Sequence, residues 1–330
     1  MCVSTTAPRL APKGTMEPYR PRLFLGILRL NLDQLVAPVA KAYHMKKFPA
    51  HVAIVVLAAI SLGLLSALTV LAALSAPTDD SPLFLPLVSR LSPAGEAYFS
   101  TLPPGSLLPS GATCAALVKA RPENKSANLP YNLTPGNQGI APDFLTPGSG
   151  DPRANTEIGV RVDGDFTGTT DEILQWAACK WGIDEDMVRA QAAIESWWRQ
   201  DALGDWTSDP DRCAPGHGLG EDGQPDLCPE SFGILQNRYP YEQSAWPGIA
   251  TSTAFNADLT YAIWRACYEG YEWWLNDVEQ GEPYAAGDAW GCFGRWYSGR
   301  WHTDAAEMYI DRVQDYLDQR IWETLDFQEP

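Results

Sequence analysis

The chain has 330 residues, with 24 Lys and Arg against 41 Asp and Glu, a formal net charge of −17 at pH 7. So acidic a chain argues against nucleic acid or an anionic lipid surface as its partner. Every one of its 13 tryptophans lies between Trp176 and Trp322, so the residues that bury first are concentrated in the second half.

The charge is unevenly spread. Residues 1–50 carry eight basic side chains (Arg9, Lys13, Arg20, Arg22, Arg29, Lys41, Lys46, Lys47) against Glu17 and Asp33, which leaves 16 basic and 39 acidic side chains, a net −23, on the rest. Residues 51–76 contain no Asp, Glu, Lys or Arg, and that length spans a bilayer as a helix. With the basic flank first, the positive-inside rule puts residues 1–50 in the cytoplasm and everything after residue 76 outside. Met45-Lys46-Lys47 also reads as the start of a signal peptide, with Ala73-Leu74-Ser75 as its cleavage site, so Met1 and Met45 are both candidate starts. The apolar run is longer than a signal core of about 7–15 residues, which favours a retained single-pass anchor over a secreted product.

Residues 77–167 are dense in Pro, Gly and Ser, as in Leu102-Pro103-Pro104-Gly105, and read as a spacer with a partly ordered patch around Cys114. Within it Asn124-Lys125-Ser126 and Asn132-Leu133-Thr134 match the glycosylation sequon, and the alternation of Ile158, Val160 and Val162 predicts one short strand.

From residue 168 to 330 the pattern is helical. Thr170 is read as the cap of a helix through Trp181. Asp184 caps a second through Trp198, with Met187, Val188, Gln191, Ala192, Ile194 and Glu195 at helical spacing. Longer helices are predicted over Thr253–Leu275 and Thr303–Leu325. In the last of these Ala306, Tyr309, Val313, Tyr316, Leu317 and Ile321 form an apolar stripe. About 160 residues suffice for one packed core. Beyond the apolar run lie Cys114, Cys179, Cys213, Cys228, Cys267 and Cys292, an even number suited to three disulfides in an oxidising compartment. A Cys213–Cys228 bridge would close the Gly- and Pro-rich loop between them. The loop's Cys213, His217, Asp222, Asp226 and Cys228 have no standard metal-ligand spacing, so no metal is expected, and no cofactor is implied.

Glu195 carries most of the functional signal. Seven residues are nearly two helical turns, so Val188 and Glu195 share a face with Gln191 and Ala192 between them, at the edge of the buried stripe. Desolvation there favours the protonated carboxyl that a general acid needs near neutral pH. Trp197 and Trp198 come directly after it. With Trp296 and Trp301 near the later motif, Trp197 is a candidate wall of a cleft, because an indole excludes water and stacks on a sugar face.

Three motifs in order carry a family resemblance: Glu195-Ser196 at a helix end, Ser231-Phe232-Gly233-Ile234-Leu235-Gln236, and Arg295-Trp296-Tyr297-Ser298-Gly299. Over residues 168–325 the chain resembles the lysozyme-like lytic transglycosylases of the soluble lytic type. The resemblance implies a mainly α, lysozyme-like, disulfide-bonded domain and cleavage of the β-1,4 bond after N-acetylmuramic acid in peptidoglycan glycan strands. It makes Glu195 the sole catalytic acid/base, assisted by the substrate's own acetamido group, with 1,6-anhydro product ends. Ser196, Ser231, Gly233, Ile234, Gln236, Trp296, Tyr297 and Ser298 would then contact substrate. Two departures are visible. Gln236 follows Glu195 by 41 positions, a longer spacing than the family's, with the cysteine-bounded insertion between. The family's third motif reads Ala-Tyr-Asn-Ala-Gly, so either Trp296 or Tyr297 takes the tyrosine role here. A water-using lysozyme or chitinase needs a second carboxylate, for which Asp201, Asp205, Asp209 and Asp211 are at hand. A non-catalytic wall-binding module is the reading of a different class.

Overall fold

The computed structural model describes residues 90–91, 97–145, 150–276 and 283–328. The basic segment, the apolar run 51–76 and both candidate starts lie outside them, and among the described residues no helix is long and apolar enough to cross a membrane. The chain divides into two units, Met1–Leu83 and Phe84–Pro330, and all the described residues belong to the second.

That unit is mainly helical. Two short strands, β1 (Arg90–Leu91) and β2 (Ala97–Tyr98), pair antiparallel, and the short helices α1 (Gly111–Ala115) and α2 (Leu129–Asn132) come next. The helix α3 (Thr170–Trp181) starts one residue earlier than its reading from sequence, because Thr169 and not Thr170 is the cap. Its hydroxyl accepts from the Glu172 amide while the Glu172 carboxylate accepts from the Thr169 amide, satisfying two otherwise orphaned donors. The helix α4 (Glu185–Ser196) is capped by Asp184 as expected. After it run three antiparallel strands, β3 (Leu203–Thr207), β4 (Cys228–Phe232) and β5 (Asn237–Arg238), in the order β3-β4-β5.

The last elements are α5 (Gly248–Thr251), α6 (Thr253–Tyr268), α7 (Ala289–Ser298) and α8 (Asp304–Gln319). The α6 helix ends earlier than the expected Leu275, where Gly270 at φ +84° turns the chain out of helical geometry. Likewise α8 stops at Arg320 in the left-handed region rather than at Leu325, which is 91% exposed.

All sixteen residues of α6 are buried, so it is the central element, with α3 and α7 against it and α8 packed on both α4 and α7. A helix this enclosed must satisfy its polar groups internally. Asp258 accepts from Lys180 Nζ at 2.8 Å, Trp181 Nε1 at 2.8 Å and the amides of Asp163 and Gly164 at 2.9 Å. Arg265 donates to the Leu102 carbonyl at 3.0 Å and the Pro103 carbonyl at 2.9 Å.

These bonds correct the reading of residues 77–167 as a spacer. Among its described residues Phe99, Cys114, Leu145, Ala154, Ile158 and Val162 join the same hydrophobic core as α6, and Arg265 and Asp258 bind its backbone. Its Pro and Gly content marks irregular backbone laid over a core, not a tether. The strand expected at Ile158–Val162 is a run of helical turns, Ala154–Ile158 and Gly159–Arg161, in which Ile158 and Val162 face inward and Val160 outward. An inward-outward-inward pattern over five residues fits one helical turn as well as a strand. Asn132, in the second sequon, is fully buried and donates to Glu123 at 2.7 Å.

Three cysteine pairs are joined: Cys114–Cys179 ties α1 to α3, Cys213–Cys228 closes the loop before β4, and Cys267–Cys292 ties α6 to α7.

Candidate functional site

Helices α4, α6 and α7 and strands β3 and β5 contribute to a cleft of about 830 Å³. Glu195 reaches it from the last turn of α4. The exit from that helix is unusual: Trp197 and Trp198 both adopt positive φ, +59° and +62°. For side chains this bulky that conformation costs roughly 1–2 kcal/mol per residue. Burial of Trp198, whose indole N–H donates to the Arg189 carbonyl at 3.0 Å and whose ring meets Phe327, offsets it. The reversal turns the chain out of α4 toward β3 and leaves Glu195 at the cleft.

The Glu195 carboxyl is only partly open to solvent. Burial pushes it up to about 7, and the nearby Asp205 carboxylate adds to the effect. Tyr309, Trp296 and Arg312 pull the other way by favouring the charged form. The Tyr309 hydroxyl donates directly to Glu195 Oε1. Tyr309 is buried on α8, and its ring stacks on that of Tyr297 with centroids 4.9 Å apart and planes at 4°. Tyr297 is half exposed and borders the cleft, so a stacked pair of phenols leads from the open wall to the buried acid. A carboxyl near half-protonation at neutral pH can give a proton in one step and take one in the next.

Asp205 faces the same cleft from β3. Its Oδ2 accepts from Ser231 Oγ at 2.5 Å and lies 3.4 Å from Arg238 Nε. Of the four aspartates at hand in the sequence it alone borders the cleft. Asp201 pairs with Arg199, Asp209 caps the turn at Pro210–Arg212, and Asp211 supplies an amide to that cap.

The sequence-predicted contacts divide into two groups. Gln236, Trp296, Tyr297 and Ser298 line the cleft with Glu195. Ser196, Ser231, Gly233 and Ile234 do not border it; they build the frame. Ser196 Oγ donates to the Ile234 carbonyl at 2.8 Å, pinning the end of α4 to the Gly-Ile-Leu-Gln segment. Ser231 is fully buried and holds Asp205. Gly233 sits at φ +83°, where a Cβ would fall 2.3 Å from Asn256 Nδ2, and Ile234 is in the core. Gln236 Nε2 donates to the Gly233 carbonyl at 2.9 Å, so its amide is oriented from behind.

Two tryptophans expected at the cleft wall lie elsewhere. Trp301 is 1% exposed and meets Tyr284 edge-on, and Trp197 packs on Phe327 at 4.6 Å. At the loop, His217 Nδ1 lies 3.0 Å from Asp222, and both cysteines are taken up by their bridge.

Several cleft residues escape a reading of the sequence alone. Glu272 accepts two bonds from Arg295, at 2.6 and 2.5 Å, and the Arg295 guanidinium lies 5.3 Å from the centre of the Trp274 ring. Glu242 and Arg238 complete that end. The one signal for this group is Arg295 within the third motif; the other residues sit in no pattern.

The chain matches no protein-family model, no curated protein and no solved structure. Any functional reading therefore stands on the motifs and the geometry of this cleft.

Proposed function

We propose that this chain cleaves the β-1,4-linked glycan strand of peptidoglycan as a lytic transglycosylase of lysozyme-like type, with Glu195 as acid and then base. The observation that carries the reading is the Glu195 carboxyl, its pKa raised to about 7 by burial against the pull of Tyr309, at the edge of a cleft walled by Trp296 and Tyr297. Glu195 protonates the bridging glycosidic oxygen, the C1–O bond breaks, and the released strand leaves with that proton. The Glu195 carboxylate then takes the proton of the muramoyl 6-hydroxyl as that oxygen bonds to C1, which closes the anhydro ring and restores the acid. The wall substrate lies outside the cytoplasm, so the domain would be exported, anchored through residues 51–76 or released near residue 76. Protease added to cells whose outer barrier has been opened should then digest it, and protection inside the cytoplasm would count against export.

A second reading is favoured by Asp205. A hydrogen-bonded carboxylate facing a protonated acid across one cleft is the arrangement in which two carboxyls take separate roles and water is the nucleophile. The products separate the two. Purified protein incubated with peptidoglycan should release fragments ending in 1,6-anhydro-N-acetylmuramic acid, one water lighter than hydrolytic fragments. Mass spectra dominated by reducing muramic acid ends, together with loss of activity in Asp205→Asn, would make the protein a hydrolase. No release of fragments at all would leave the wall-binding module.

A further inference from the structure

Glu242 stands in the short connection after β5, where its backbone amide bonds the Arg238 and Tyr239 carbonyls at 3.1 Å and its carboxyl interacts with the Arg238 backbone amide. It is 7% exposed, borders the cleft, and its Oε2 has no hydrogen-bond partner. A buried carboxyl oxygen left without a partner costs roughly 1–3 kcal/mol, so its presence beside a cleft calls for a ligand that completes it. Burial pushes this carboxyl up to about 8, against the pull of Arg295 and Arg238. In the neutral form that burial favours, the carboxyl both donates and accepts.

The neighbours narrow the ligand. Both guanidiniums beside it already hold carboxylates, Arg295 that of Glu272 and Arg238 that of Glu230, so neither is free to take an anionic group at Glu242. A ligand ammonium would have to ionise Glu242 while facing those same two guanidiniums. What remains is a neutral group with a strong acceptor. We propose that Glu242, flanked by the Arg295–Glu272 pair, forms a subsite for the acetamido group of an N-acetylated sugar, its carboxyl donating to the acetamido carbonyl. This rests on the glycan reading of the cleft and adds a residue that distinguishes acetylated sugars from plain ones.

The test uses the full chain carrying Glu195→Gln, so that nothing is turned over, and calorimetric titration with tri-N-acetylchitotriose and with cellotriose. Adding Glu242→Leu should weaken the N-acetylated trimer about tenfold and leave cellotriose within about twofold, the loss of one hydrogen bond from a neutral donor. Adding Glu242→Gln, whose amide still donates, should keep the N-acetylated trimer within about threefold. Leu and Gln variants that behave alike, or a Leu variant that weakens both sugars equally or neither, overturns the subsite while leaving the glycan reading intact. Binding of neither sugar by the Glu195→Gln parent overturns both.

Discussion

Glu195 is held between burial and the Asp205 charge, which keep its proton on, and the Tyr309 hydroxyl, which helps take it off. That balance has consequences for stability and for rate. A carboxyl whose folded pKa of about 7 lies above its ordinary 4.5 stabilises the fold fully below pH 4.5 and loses that contribution as pH rises through 7. Above pH 7 the buried charge therefore costs up to ~3 kcal/mol. Glu195→Gln should melt higher than the wild type at pH 8, melt equally near pH 4.5, and lose wall lysis by at least ~100-fold. A folded Gln variant that still lyses walls would transfer the role to another acid. Tyr309→Phe removes a donor to the carboxylate, so the Glu195 pKa rises further and the alkaline limb of kcat/KM against pH should move upward. A limb that stays in place or moves down would show that the phenol does not set this acidity. Glu195 itself is legible in sequence, because helical spacing sets it beside Val188 and Gln191. Tyr309 is legible only as one member of an apolar stripe, since nothing local says that a residue 114 positions away will meet the carboxylate.

The cap at Asp184 acts within three residues and is readable for that reason, whereas the cap read at Thr170 falls one residue earlier, at Thr169. The sheet is not readable at all. Strand β3 pairs with β4 across the insertion, and its register, with Gly204 opposite Ser231 and Leu203 opposite Phe232, is a tertiary arrangement that no alternation of residues announces. That register brings Ser231 to Asp205, so the segment Ser231–Gln236 contributes a frame residue where a substrate contact is expected. The Cys213–Cys228 bridge anchors the start of β4, where Cys228 faces Thr207. Replacing both cysteines by serine frees a loop of 15 residues, which should cost about 3 kcal/mol on the chain-entropy account. The loss should fall first on the strand pair. Amide exchange should quicken in β3 and β4 before it does in α6, and cleavage activity should drop with it as Asp205 loses its place. Uniform exchange across the domain would mean that the bridge stabilises the core as a whole.

Sequence composition divides the chain at residue 167, whereas the core divides it well before that. The mismatch has a physical origin: Pro- and Gly-rich backbone forms few regular elements, yet it can be tied down by the side chains of a helix that needs buried partners. Here Asp258 and Arg265 of α6 supply those ties, Lys119 exchanges bonds with the Gln175 side chain at 3.1 and 3.3 Å, and Cys114 is joined to Cys179. Removing residues before 168 would therefore take the Asp163 and Gly164 amides from Asp258 and the Leu102 and Pro103 carbonyls from Arg265, leaving only their ion pairs with Lys180 and Glu269, and each buried polar group left unsatisfied costs about 1–3 kcal/mol. A domain holds only about 5–15 kcal/mol of net stability, so the loss of both sets with the hydrophobic contacts of Phe99, Ile158 and Val162 should leave nothing folded. A chain starting at Phe84 should fold cooperatively with three disulfides and retain the proposed wall-cleaving activity. One starting at Gly168, the boundary that composition suggests, should give no cooperative melt and carry Cys179 as a free thiol. Thiol titration with circular dichroism on the two truncated chains checks this. A folded, active protein from Gly168 onward would restore the preceding segment to the role of a tether.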